Sequence, residues 1–245
     1  MKEFLLALQF LTIFPVSLKS VKENALARSM IYFPLVGAIL GWSVGWLNNI
    51  FSSWGFNHLA ISVIIFAVLT VFTGGLHLDG LSDTFDGLGC RDDKEKILSV
   101  MRDPSTGAFG VVAVVFTLLL KVSFFYSISL ISKSAVLILM CATSRYAMVL
   151  MAGLFPYARA EGKAKAFIDG VNLKIMILSG MITVSIAFLM FRWTGLLILA
   201  IALFVSYCFA RFTAKKINGI TGDVLGAVNE LSEIVVLGLC VAIMH

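Results

Sequence analysis

Long apolar runs, cut by short polar breaks, set the pattern of this chain. The first run, "FLLALQFLTIFPV" at 4–16, is too short to cross a bilayer and stops at Pro15. It predicts an interfacial or re-entrant helix. No small-residue cleavage site follows, so a cleaved signal peptide is not expected. Longer runs predict spans at about 30–51, 58–76, 108–131, 135–156, 173–191, 194–212 and 225–244, close to the roughly 20 apolar residues a crossing helix needs. The last pair before the C-terminal span, either side of Arg192, fits a tight hairpin. Gly37, Gly41 and Gly45 recur every four residues and line one face of the first span, which suits close helix contact. With no repeat and no low-complexity linker, the expectation is an all-α, polytopic integral membrane protein. It has about six to seven transmembrane helices and a single membrane-embedded domain over 1–245.

Composition supports that pattern. The 245 residues are 60% hydrophobic and 13% charged, with mean hydropathy +0.99. A soluble domain is nearer half apolar and a quarter charged. Cys90, Cys141, Cys208 and Cys240 are far apart and form no CxxC pair, so small buried hydrophobes are expected rather than disulfides or a zinc site. The net charge of +5 points to lipid headgroups and cytoplasmic loops, not to a nucleic-acid partner. Basic residues divide unevenly between alternate loops. Lys2, Lys19, Lys22, Arg28, Arg91, Lys94, Lys96, Arg102, Arg159, Lys163, Lys165, Arg211, Lys215 and Lys216 fall on one side, Lys133 and Arg192 on the other. The positive-inside rule then puts the N-terminus inside and the C-terminus outside. This predicts a multi-pass protein of the cell (inner) membrane whose polar loops face the cytoplasm.

The longest polar stretch, 77–107, holds Asp79, Asp83, Asp86, Asp92, Asp93, Glu95 and Asp103. Within "GGLHLDGLSDTFDG" (74–87), Asp79, Asp83 and Asp86 are spaced by four and three. On a helix they share one face, with Cβ atoms about 5–6 Å apart. Such a stripe repels itself unless something neutralises it. Mg²⁺ usually binds one or two carboxylates together with substrate phosphates, so the spacing suggests a metal-bridged diphosphate site. The plainer reading is a solvated loop with capping aspartates, which fits a soluble protein better than a membrane one. His77 reads either as an outer-sphere partner or as a polar interfacial residue.

A second acidic group, "GDVLGAVNELSE" (222–233), puts Asp223, Glu230 and Glu233 on one face with Asn229 alongside. Glu230 and Glu233 fall inside the last span, where buried carboxylates need a cation or a basic partner. Arg145 and Lys121 are the candidate partners. A polar helix–helix contact is the alternative. "RDPSTGAFG" (102–110) reads as a helix start with Asp103 as N-cap and Pro104 in first position. Its free N–H groups would offer a phosphate site beside Arg102. "PYARAEGKAKAF" (156–167) adds Arg159, Lys163 and Lys165 as a basic wall.

Taken in order, "LLALQFLTIFPV", "GGLHLDGLSDTFDG", "MRDPSTGAFG", "CATSRYAM", "PYARAEGKAKAF" and "GDVLGAVNELSE" resemble the cobalamin synthase family, the adenosylcobinamide-GDP ribazoletransferases, over nearly the whole chain. The resemblance implies a membrane-bound, Mg²⁺-dependent enzyme. A ribose hydroxyl of α-ribazole, or of its 5′-phosphate, attacks the corrinoid-side phosphorus of adenosylcobinamide-GDP, and GMP leaves. The chemistry parallels that of the CDP-alcohol phosphotransferases. Their D-G-x-x-A-R pattern is incomplete here, with Asp83 and Thr84 in the alanine and arginine positions. The expected assignment is Asp79, Asp83 and Asp86 to metal, with one of them or Glu230 as general base. Arg102, Arg145, Arg159 and Lys163 are expected on phosphates, with Asn229 also substrate-binding. A homo-oligomer is compatible with the sequence. The competing readings are a UbiA-type prenyltransferase, which ordinarily carries a second aspartate motif, and a cation-coupled transporter, for which no inverted repeat is visible.

Overall fold

Backbone N–H and C=O groups find no water in hydrocarbon, so each apolar run must satisfy them internally as helix. A computed structural model, which describes residues 2–15, 23–90 and 93–243, shows that outcome. Among the described residues the ordered elements are helices, and the isolated bridge is Tyr157–Ile220. The N-terminal run forms α1 (Lys2–Leu11), which buries Leu6, Ala7 and Leu11. A short helix, α2 (Glu23–Ser29), leads through a 3₁₀ turn into α3 (Phe33–Ser53). Then come α4 (His58–Phe72), α5 (Leu76–Gly89) and α6 (Lys94–Val100). The remainder is α7 (Ala108–Ser127), α8 (Leu130–Leu154), the one-turn α9 (Lys165–Ile168), α10 (Leu173–Ile217) and α11 (Gly222–Ile243).

Five helical stretches are long and apolar enough to cross a membrane: Ala25–Ser53, Ala108–Ser127, Leu130–Leu154, Leu173–Ile217 and Gly222–Ile243. The pair α4 and α5, bent by 90°, makes a sixth if it is one broken span. A straight helix the length of α10 would reach about 68 Å, twice the roughly 30 Å of hydrocarbon. It does not run straight. Phe191 and Arg192 leave helical geometry, Arg192 at φ 53°. The two limbs, 173–190 and 193–217, fold back so closely that a Cβ on Gly195 would collide with the carbonyl of Ala187. This is the hairpin expected around Arg192. The expected span at 58–76 is shorter than its sequence suggested, because the chain turns at Thr73–Gly75.

At the centre stands α8, against which α3, α10 and α11 pack. The glycine stripe of α3 does its work inside the chain. A Cβ on Gly37 or Gly41 would run into the carbonyls of Cys141 and Leu137 on α8. The outer surface is apolar, with Trp42, Trp46, Phe116 and Phe204 exposed, as expected of a face solvated by lipid. All four cysteines are free. Cys141 and Cys240 are buried as expected, whereas Cys208 is exposed on the outer surface.

Short backbone ties gather the polar segments at one end. Ile13 N–H donates to Phe72 O at 2.9 Å, Ala158 N–H to Ile220 O at 2.9 Å, and Ile220 N–H to Pro156 O at 2.9 Å. Arg102 donates to the carbonyl of Glu161 at 3.3 Å. The segments carrying Gly74, Arg102, Arg159, Lys163 and Asp223 therefore share one end of the bundle.

Candidate active site

The bend that creates the site is local. Gly74 (φ 61°) and Gly75 (φ 71°) adopt the left-handed region, where a side chain is strained and glycine is not. The chain leaves α4 there and starts α5 at 90° to it. With α5 helical, Asp79, Asp83 and Asp86 form the expected stripe, but their surroundings differ. Asp79 is exposed, Asp83 half-buried and Asp86 buried. A second close approach fixes the neighbour. Where α5 meets α11, a Cβ on Gly80 would stand 2.8 Å from Asp223 O, and one on Gly226 3.1 Å from His77 O. Small residues let the two backbones nearly touch. Asp223 thereby joins the cluster. Asp83 experiences like charge from Asp79, Asp223 and Asp86, with Arg159 as the opposing cation.

Above this cluster lies a cavity of about 320 Å³. Its polar wall includes His77, Asp79, Arg159, Lys163 and Asp223, and its apolar wall includes Phe10, Phe33 and Phe167. Phe10 and Phe167 pack with ring centroids 4.4 Å apart. The guanidinium of Arg159 donates to Asp223 at 2.8 Å. Thr221 fixes this carboxylate from below, donating to Asp223 at 3.2 Å while accepting from Val224 N–H. Acidic groups thus face basic ones across a space the size of a small-molecule site.

The cluster suits a divalent cation in one respect: an acidic group with one close cation needs more positive charge. Among the described residues no three His, Cys, Asp or Glu side chains converge to form a metal shell by themselves. Mg²⁺ does not require such a shell, because one or two carboxylates can share the ion with substrate phosphates and water. Asp79 and Asp83 have the exposure and the uncompensated charge for it.

Asp86 departs from the expected metal role in a specific way. Its two oxygens accept from Gly107 N–H and Gly110 N–H, each at 2.8 Å. It caps the start of α7 from another helix. The phosphate site expected at that helix start is filled by this carboxylate, which satisfies the same orphan donors. Asp103 and Pro104 also lie differently from expectation, since α7 begins at Ala108 with Gly107 as N-cap. Asp103 instead closes a turn, accepting from Ser105 N–H at 2.8 Å and the Ser105 hydroxyl at 2.5 Å. Those bonds hold its carboxyl below the usual carboxylate range. Arg102, expected on phosphate, is exposed and does not line the cavity.

Glu230, Asn229 and Arg145 are also placed otherwise than expected. They belong to a buried network, not to the cavity wall. Lys121 on α7 donates to Glu230 and Glu233 at 2.5 Å each. Arg145 on α8 pairs with Glu233 and donates to Ser144 at 2.9 Å. The amide of Asn229 donates to Glu230 at 3.2 Å and Glu233 at 3.1 Å. Two cations and two anions cancel inside the bundle, so Arg145 and Lys121 are the basic partners these carboxylates require. Glu230, Arg145 and Asn229 do not line the cavity, and their side chains are bonded to one another and to Lys121 and Glu233. His77 stands between network and cavity, buried, with neither ring nitrogen partnered among the described residues. Asp223, seen in the sequence as part of an acidic face, was not separable there from Glu230 and Glu233. Its position at the start of α11, before the apolar run, was the available signal.

Fold and site together define a multi-pass helical membrane protein with an acidic-to-basic cavity at one end of its bundle. The chain belongs to the cobalamin-5-phosphate synthase family, whose family model matches residues 3–241. It is 37% identical to an adenosylcobinamide-GDP ribazoletransferase of Desulforamulus reducens over 93% of this chain and 91% of the relative. It is 35% identical to the protein of that name from Clostridioides difficile, over 97% and 96%, and 36% identical to that from Syntrophobacter fumaroxidans, over 94% of each. No solved structure matches.

Proposed function

We propose that this protein is a membrane-embedded phosphotransferase of late cobalamin synthesis, which joins adenosylcobinamide-GDP to α-ribazole or its 5′-phosphate. A ribose hydroxyl of the acceptor bonds to the corrinoid-side phosphorus. The bond from that phosphorus to the oxygen bridging the two phosphates breaks, and GMP departs with that oxygen. The hydroxyl proton passes to a carboxylate of the α5 stripe and on to solvent. The observation that carries this reading is the cavity in which Asp79 and Asp223 face Arg159 and Lys163, in a chain of this family. Arg159 and Lys163 would hold the diphosphate, and Arg159 is itself held in place by Asp223. Asp79 and Asp83 would hold Mg²⁺. When bound, the ion would neutralise phosphate charge and polarise the phosphoryl oxygens, the terms that dominate phosphoryl transfer. The aromatic wall of Phe10, Phe33 and Phe167 suits a nucleobase and excludes water from one side.

We place the reaction on the cytoplasmic side of the inner membrane, because the site's end of the bundle carries Arg102, Arg159, Lys163, Lys165, Lys215 and Lys216. The test is direct. Membranes containing the protein should release GMP from adenosylcobinamide-GDP only when acceptor is present, stop on chelation and resume with Mg²⁺. GMP release without acceptor would mean a hydrolase, and none under any condition would overturn the reading.

A further inference from the structure

A second opening lies beside the first. A groove of about 840 Å³ runs between α4, α5 and the start of α7. Phe10, Leu76 and Asp79 border both spaces, so the two meet at one carboxylate. Their linings differ. The cavity has Arg159 and Lys163, whereas among the described residues Asp79 is the charged group of the groove. The rest is apolar or hydroxyl-bearing, with a wall of Val111, Val114 and Val115 on α7 and Ser82 among the hydroxyls. Ser82 is only 7% exposed, and its hydroxyl has no hydrogen-bond partner among the described residues. A hydroxyl without a partner beside a groove leaves a hydrogen bond for a polar ligand to make.

We infer that this groove seats the acceptor nucleoside, its flat base against the valine wall of α7 and its sugar turned toward Ser82 and Asp79. The inference rests on the transferase reading above. In-line displacement puts the entering and leaving oxygens on opposite sides of phosphorus. Two spaces that meet at Asp79 supply that arrangement: the leaving nucleotide goes to the basic cavity, and the acceptor enters from the groove, whose α7 wall is uncharged. An uncharged apolar wall also matches a neutral aromatic base better than it matches a diphosphate.

The test is equilibrium binding of α-ribazole, and separately of adenosylcobinamide-GDP, to the full-length protein in nanodiscs with Mg²⁺. Val114→Phe fills the groove, and its effect should resemble that of a pocket misfit, about tenfold or more in affinity. The expected result is that loss for α-ribazole with donor affinity within about twofold of wild type. Ser82→Ala should weaken α-ribazole alone. If Val114→Phe does not accumulate, Val111→Phe tests the same wall. Unchanged α-ribazole affinity in a folded wall variant, or equal losses for both ligands, overturns the assignment, as does a wild-type protein that binds no α-ribazole. Binding needs no turnover, so the two readings can fail separately. Groove-dependent α-ribazole binding without GMP release refutes the reaction alone. GMP release with an unaffected wall variant refutes the groove alone.

Discussion

Asp86 gives both carboxylate oxygens to backbone N–H groups, while Asp79, seven residues earlier on the same face, is exposed at the cavity. Their amide variants should therefore fail differently. Hydrogen bonds to a charged group contribute about 1.5–3 kcal/mol, so Asp86→Asn should lower the unfolding midpoint in detergent measurably, with activity falling alongside. Asp79→Asn and Asp83→Asn should leave that midpoint close to wild type and cut turnover about a hundredfold or more, the scale for losing a charge-stabilising group. Asp93→Asn should be nearly neutral on both counts. Asp93 caps α6 through Lys96 N–H, and asparagine caps as well as aspartate does. Asp92, its neighbour, lies outside the described residues. Equal losses at Asp79, Asp83 and Asp93 would remove any special role for the stripe.

At the scale of elements, much was legible. The four-then-three spacing of Asp79, Asp83 and Asp86 implies a shared helix face, and α5 is that helix. The need of Glu230 and Glu233 for cations pointed to Lys121 and Arg145, which are their partners. What periodicity could not reveal was commitment. Asp86 reaches donors 21 and 24 residues away, a contact between helices that no local pattern encodes. Nor does spacing tell whether a buried arginine faces a substrate or a glutamate. Breaking a buried pair costs about 3–5 kcal/mol because the other charge is left stranded. Lys121→Met should accordingly destabilise strongly, and adding Glu230→Gln should recover part of the loss. Unfolding curves of the two singles and the double decide it, and strict additivity would mean that the contact carries no coupling. Close helix contacts make a parallel case. Gly41→Leu should force α3 from α8, since its Cβ alone already meets Leu137, and should lower the yield of folded protein.

Across the whole molecule, hydropathy located the crossing segments to within a few residues. Basic-residue asymmetry predicted that the polar loops share an end, as they do. The 90° turn at Gly74–Gly75 was not legible, because a run that stays apolar through a bend looks like one span. Orientation is testable by labelling single-cysteine variants in sealed cells. A cysteine at Asn57, which is exposed at the end opposite the site, should react from outside, and one at Lys163 only after permeabilisation. External reactivity at 163 would reverse the topology. Lys133, at the same end of the bundle as Asn57, is a poor probe because its side chain is buried, with the ammonium 4.7 Å from the centre of the Phe125 ring.

The charge network also bears on the order in which the protein can be made. Lys121 leaves the ribosome on α7, 109 residues before Glu230, and Arg145 on α8, 88 residues before Glu233, both glutamates following on α11. Until then each cation would cost about 2.5–3.5 kcal/mol at the centre of a membrane helix. These two helices therefore have reason to stay near the insertion machinery, or near water, until their counterions arrive. A chain stopped after Ile220 should insert its early helices yet be cleared rapidly by membrane proteolysis, and pulse–chase labelling would show it. Lys121→Met with Arg145→Met in that truncated chain should lengthen its lifetime. A truncated chain as long-lived as the full one would mean that the middle of the bundle matures without its last helix.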